Sequence, residues 1–382
     1  MGVKDVSRIF GYANFMPEWF ADGYGIIYEN PFKTDPDLLL EINMKKSKIL
    51  LDRYPELSLG NANPAPVYAV PQYDGRILCA TAYGAPYPVW DSKSGCFWTD
   101  RDFIPWEWVE TSADVNRIIV PDWNNVRLVQ EMAVMYSEYK EKAKHVPGAN
   151  NKYEWTCQNW TNPNTNEEYN LTGFMTYIDL APFLFGETRF FTMLAEDPEF
   201  ACALMEKCFE ISVSYAEYMV KLYGYDIKGI SGFGGDHSCM LSPAMYKEYA
   251  MAFDQMILDR YGYLPCNLHS CGPSSHLYEN WGTYGNIHYI VLMQTRAIQG
   301  GAIKLRKALP YTHLQLTLHS PQFDFENEEP GNIRDTVWQL AEGVGFKDVD
   351  FNVIVTYPGE KVDSNLRTFF KTIDNLNRYI EG

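Results

Sequence analysis

The sequence predicts an α/β fold built on parallel strands, and three observations carry that expectation. From about residue 170 onward, six strand-then-helix units follow one another, each of roughly 25 to 45 residues. Parallel neighbours need a long return path, and a helix of this length supplies it. The chain has 382 residues with 46% apolar content, enough to bury a sizeable core. That size fits one large barrel with insertions, or two domains. A closed (β/α)8 barrel and an open doubly wound sheet both satisfy this rhythm.

Taken in order, the first 160 residues are irregular. They hold one clear helix over 35–53 (DPDLLLEINMKKSKILLDR) and a second over 125–144, after the pre-helical segment PDW. The Pro- and Tyr-rich pieces between them read as hairpins or loops. Residues 170–178 read as a strand, followed by helices over 191–195 and 198–223. Residues 225–232 (YDIKGISG) form the next strand. Ser242-Pro243 then supplies an N-cap and a first-turn proline to a helix running to about 260. The alternation continues with strands at 263–269, 287–293, 313–318 and 350–355, and helices at 274–281, 303–309, 332–342 and 364–380. Residues 1–160 are read as an N-terminal extension packed on the fold and including its first units, and 161–382 as its main part.

Composition excludes several partners. Net charge is −17, from 49 acidic and 32 basic residues, which disfavours nucleic acid and anionic membrane surfaces. Neither a GxGxxG turn nor a P-loop occurs. No run approaches the roughly 18 apolar residues needed to span a bilayer. The eight cysteines are scattered without a disulfide spacing, which points to free thiols and a cytoplasmic protein. Aromatics make up 15% of the chain, and stretches such as MPEWFADGYG and FIPWEWVE suit either ordinary packing or a cap over an organic ligand.

Parallel α/β folds place chemistry at the C-terminal ends of strands, and that rule selects residues here. Asp236 and His237 follow the glycine pair Gly234-Gly235. His269 and Cys271 lie two residues apart at the next strand end, in PCNLHSCGP. Gln294 and Arg296 follow the 287–293 strand, His319 the 313–318 strand, and Tyr357 the last strand. His269 and Cys271 with Asp236, His237 or His319 offer N, S and O donors to a divalent metal such as zinc. The double glycine lets the backbone turn sharply and present Asp236 to a cavity. Arg296 either anchors a substrate carboxylate or pairs with a surface acid.

The segments GGDHSCMLSPAMYKEYAMAFDQMILDRYG and LHSCG, together with the tail TYPGEKVDSNLRTFF, resemble the uroporphyrinogen decarboxylase superfamily. The resemblance covers roughly residues 170–382 and implies a (β/α)8 TIM barrel with an extended, aromatic-rich N-terminal region. It implies one of two activities: cofactor-free porphyrinogen decarboxylation, or methyl transfer with cobalamin-carrying proteins. The methyltransferase branch holds zinc with H-x-C and a later Cys. His269 and Cys271 match the first part, but no Cys follows Cys271, and an acidic ligand of that branch would fall near Gln294, which is neutral. The decarboxylase branch carries an Arg-rich motif near its N-terminus. Here Arg8, Arg53, Arg76, Arg101 and Arg117 are dispersed.

The resemblance therefore implies a corrinoid-dependent methyltransferase of the O-demethylase type acting on a small methylated substrate. Asp236, His237 and His269 are the expected catalytic residues, and Gln294, Arg296 and Tyr357 the expected substrate contacts. His269, Cys271, His319 and Asp236 are the expected zinc ligands, with cobalamin carried by a separate protein. A porphyrinogen decarboxylase and a non-catalytic barrel binding a tetrapyrrole or aromatic ligand are the alternatives.

Overall fold

The computed structural model describes residues 8–64, 66–69, 73–100, 102–146, 150–152, 157–161, 168–173, 176–223, 229–261, 266–270, 272–284, 287–292, 301–318 and 323–382. Its strands in chain order are β1 (Gly11–Phe15), β2 (Val67–Ala69), β3 (Val89–Asp91), β4 (Cys96–Trp98), β5 (Asn150–Lys152), β6 (Cys157–Thr161), β7 (Glu168–Gly173), β8 (Gly229–Gly234), β9 (Cys266–Ser270), β10 (Ile287–Leu292), β11 (His313–Thr317) and β12 (Val349–Val355).

The sequence of β12, VDFNVIV, is apolar on both of its faces apart from Asp350 and Asn352, and six of its seven residues are buried. Such a strand needs cover on two sides, which a parallel sheet with helical crossovers provides. The main sheet runs β1-β12-β11-β10-β9-β8-β7-β6. Every neighbouring pair from β1 to β7 is parallel, and β6 returns antiparallel to β7. The first strand of the chain thus lies beside the last, with Gly11 opposite Phe351 and Phe15 opposite Val355. Two small sheets stand apart, β2 with β5 and the β3–β4 hairpin.

The helix Glu360–Glu381 packs against β1, where Phe369 and Ile373 face Gly11. Its Val362, Leu366, Phe369, Ile373 and Leu376 recur every three or four residues and are buried. Asn377 clamps the chain start by accepting from Ile9 N and donating to Ile9 O, each at 2.9 Å. At the N-terminal end of the strands, Asp350 accepts from Phe10 N and pairs with His313, both at 2.9 Å. That end is built for stability; the strand ends opposite hold the groups with spare chemistry.

The expected helices at 35–53, 125–144 and 198–223 correspond to Pro36–Arg53, Arg127–Ala143 and Pro198–Tyr223. Ser242 caps its helix as expected, accepting from Met245 N at 3.2 Å. That helix contains one π-helical turn, Tyr246–Ala250, before continuing as Met251–Tyr261. One expectation is corrected: 170–178 is not a strand throughout. β7 ends at Gly173, and a helix Tyr177–Phe185 begins four residues later. The pattern of this stretch, NLTGFMTYI, does not distinguish strand from buried helix. Among the described residues, no helix is long and apolar enough to cross a membrane.

Candidate active site

Three adjacent strand ends converge on Asp236. β8 finishes at Gly234, whose φ of +93° is a left-handed conformation suited to glycine. A Cβ on Gly235 would lie 2.4 Å from Ile178 Cγ2 and 2.9 Å from Asp179 Oδ2. The glycine pair therefore lets the β8 end pass directly against the first turn of helix Tyr177–Phe185. The chain then enters a short 3-10 helix, Asp236–Met240.

Asp179 fills the cap position of that short helix. Its Oδ2 accepts from Thr176 Oγ1 at 2.6 Å and from Asp236 N at 3.2 Å. Its Oδ1 accepts from His237 N at 3.0 Å and faces His237 Nδ1 at 2.8 Å. His237 Nε2 lies 4.0 Å from Glu187 Oε1. The hydrogen bond to Asp179 raises the His237 pKa above its ordinary value against the opposing effect of burial, and Glu187 and Asp236 add to the rise.

On the other side of the turn, Asp236 Oδ1 lies 3.2 Å from His269 Nε2, and both side chains keep over two-fifths of their surface exposed. The two side chains are open to an incoming molecule, although Asp236 Oδ1 itself is covered, whereas Asp179 and His237 sit behind them. Cys239 donates to Asp236 O at 3.1 Å and packs against Gly272, just past the end of β9. Burial, with Asp236 nearby, pushes its thiol pKa up.

Among the described residues, the N-terminal region brings charge to the site through Arg76. Arg76 opens the helix Gly75–Ala82 and forms a two-pronged pair with Asp74, with Nε and Nη2 each 3.0 Å from a carboxylate oxygen. Its guanidinium lies in the field of Asp179 and Asp236, which add to Asp74 in holding its proton. Arg189 fastens the preceding segment above helix Glu187–Glu196 by donating to the carbonyls of Trp106, Glu107 and Val109.

Of the residues chosen from sequence, the structure brings Asp236, His237 and His269 together. Tyr357 is exposed beyond the end of β12, which β11 and β10 separate from β9. Its backbone N and that of Thr356 donate to Glu326 Oε1 at 2.6 and 2.5 Å. Cys271, Gln294, Arg296 and His319 lie outside the described residues. Asp179, Glu187, Arg76 and Glu326 stand outside the set that the sequence points to. The first carries a readable signal, because Thr176-x-x-Asp179 ahead of an apolar run is a helix-start pattern.

His269 and Asp236 meet one requirement of a metal centre. Their 3.2 Å separation is close to the roughly 3.3 Å between two donors on one tetrahedral zinc. Among the described residues no group of three or more His, Cys, Asp or Glu side chains could hold a metal ion.

Residues 150–308, which contain Asp179, Asp236, His237 and His269, match the family model "Uroporphyrinogen decarboxylase (URO-D)". No curated protein sequence matches the chain. Among solved structures, a methyltransferase from Methanosarcina mazei is similar over 98% of this chain and 95% of its own, with a TM-score of 0.57 and 14% identity. At that identity the likeness speaks to fold. The match spans the site-bearing residues, so this part of the chain is similar to the uroporphyrinogen decarboxylase superfamily, on a fold similar to that of the methyltransferase.

Proposed function

We propose that the chain is a methyltransferase of this superfamily, moving a methyl group between a small methylated substrate, aromatic compounds being the favoured class, and a separate corrinoid protein that carries cobalamin. The observation that carries the proposal is the open Asp236–His269 pair at the C-terminal strand ends. The proposal includes a closed (β/α)8 barrel, supported by the pairing of first and last strands, with residues 1–160 as extension and first units and 161–382 as its main part.

A methyl ether has a poor leaving group, so the heteroatom must be activated as the methyl departs. Asp236 is placed to orient that heteroatom or to give it a proton, with His269 at its side. Gln294, Arg296 and Tyr357 are the proposed contacts to the rest of the substrate. When bound by His269, Cys271, His319 and Asp236, a zinc ion supplies Lewis acidity at the same heteroatom.

Charge separates this reading from porphyrinogen decarboxylation. A ring bearing many carboxylates requires an arginine-rich wall. Arg76, which reaches this cleft, already has Nε and Nη2 engaged by Asp74. Such a ring would also meet Asp179, Asp236 and Glu187.

The test is anaerobic turnover with reduced cobalamin as acceptor and a panel of methyl ethers, thioethers and amines, followed by methylcobalamin absorbance. Formation of methylcobalamin that is lost in His269→Ala is expected. Decarboxylation of uroporphyrinogen, with no methyl transfer from any donor, would sink the proposal.

A further inference from the structure

We propose that Asp179 is the positioning residue of this site: it builds the turn that sets Asp236 against His269, and takes no part in the chemistry itself. The inference rests on the reading of Asp236 and His269 as the reactive pair.

The argument starts from acceptor capacity. A carboxylate has two oxygens and about four lone-pair directions. Four groups occupy those of Asp179: the Thr176 hydroxyl, the backbone N of Asp236, the backbone N of His237 and the His237 ring. Little capacity remains for a substrate, and the side chain keeps only 14% of its surface exposed. Asp236, by contrast, keeps 42% and turns a carboxylate oxygen to His269. The two aspartates, close in space, therefore have different work.

Each bond from Asp179 also has a positional consequence. The two backbone N–H groups it accepts belong to the first two residues of the 3-10 helix Asp236–Met240, where helical partners are missing. Supplying them from another segment fixes the direction in which the chain leaves β8, and so the direction of the Asp236 side chain. Thr176 holds the carboxylate in turn. Gly235 completes the device, since any Cβ there would meet Ile178 Cγ2 at 2.4 Å and Asp179 Oδ2 at 2.9 Å. Thr176-x-x-Asp179 and Gly234-Gly235-Asp236-His237 thus act as one two-part unit, although 55 residues or more separate them in the chain.

The test uses a reporter that Asp179 does not touch. Protein labelled with 13C at the histidine Cε1 position gives one signal for each of seven histidines, and His269→Gln identifies that of His269. In Asp179→Asn the amide nitrogen cannot accept an N–H, so the turn loses part of its anchor. The expected result is a shifted His269 signal in a folded protein, and a kcat lowered about 100-fold with KM nearly unchanged, the scale of a misplaced reactive group. Gly235→Ala should move the same signal. A His269 signal and a kcat that stay at their wild-type values in Asp179→Asn overturn the proposal.

Should Asp179→Asn fail to fold, Thr176→Val carries the comparison, because it leaves the carboxylate in place. A smaller shift of the His269 signal supports the proposal, and an unmoved one overturns it. Wild-type protein inactive on every methyl donor would remove the methyltransferase reading and leave the His269 comparison standing.

Discussion

The Tyr177 hydroxyl sits 2.6 Å from the carbonyl oxygen of Ala250 and 3.0 Å from Oδ1 of Asp254. One hydroxyl proton cannot fully serve two acceptors. It is shared between them, at the shorter distance with Ala250 O and the longer with Asp254 Oδ1. Tyr284 donates to the other oxygen, Oδ2, at 2.5 Å. Ala250 closes the π-helical turn Tyr246–Ala250, where the backbone departs from regular α-helical spacing.

Burial pushes the Asp254 carboxyl up from its ordinary 3.8 to about 6, against the three tyrosine hydroxyls that lower it. A folded pKa above the unfolded one contributes stability that is complete below pH 3.8 and is lost as pH rises through about 6. Two pKa units correspond to about 3 kcal/mol. Urea unfolding of the wild type and Asp254→Asn at intervals between pH 4 and 7.5 checks this. The substitution should remove a downward slope across that window, and parallel curves for the two proteins would refute the assignment.

Arg53 and Asp363 should prove to be a tie between the N-terminal region and the last helix. Arg53 Nη2 and Nε meet the two oxygens of Asp363 at 2.6 and 3.1 Å, and Tyr54 donates to Oδ1 at 2.5 Å. The pair is only partly exposed, and its two-pronged geometry is the strong form of the contact. Asp363→Ala leaves Arg53 and the Tyr54 hydroxyl without that acceptor, at a cost of about 2 kcal/mol. Chemical denaturation measures it, and a double-mutant cycle with Arg53→Met should return a coupling of at least about 1 kcal/mol. A coupling near zero would mean the contact adds nothing.

Much of the fold was legible because its elements obey local rules. Ser242-Pro243 announces a helix start, and Pro198–Tyr223 is long and unbroken. The strand ends carrying Asp236 and His269 followed from the strand–helix rhythm. What escaped depends on partners far away in the chain. β1 (GYANF) is a strand because β12 lies beside it, more than 330 residues later. Asp179 was hidden for a related reason. An apolar run reads equally as strand or buried helix, and with 170–178 reading as a strand, Asp179 has no element to begin. Arg76 escaped because only tertiary packing brings the helix Gly75–Ala82 to the cleft.

Gly272 and Cys239 should show second-site rescue. A Cβ on Gly272 would stand 1.9 Å from Cys239 Sγ and 2.4 Å from Cys239 Cβ. Gly272→Ala must therefore displace the Asp236–Met240 segment or the end of β9, with loss of activity and stability. Removing only the sulfur leaves the Cβ clash, so Cys239→Ala should restore little, whereas Cys239→Gly should restore most. Melting temperatures of the two double variants decide it. Equal recovery in both would show that the Cβ contact is not the obstacle.

Metal content gives the last prediction. His269 Nε2 and Asp236 Oδ1 stand at a separation that one tetrahedral zinc would bridge, and ligand loss should lower affinity in proportion to the donor's part. Protein purified without chelator should hold about one zinc per chain by elemental analysis, with His269→Ala depleted and Asp236→Asn weakened. His319→Ala and Cys271→Ser complete the comparison. Asp179→Asn separates the contributions, since it disturbs the direction of Asp236 and leaves His269 on its strand. It should retain more zinc than His269→Ala. Full zinc occupancy in His269→Ala would rule out His269 as a ligand and leave Asp236 and His269 to act on the substrate directly.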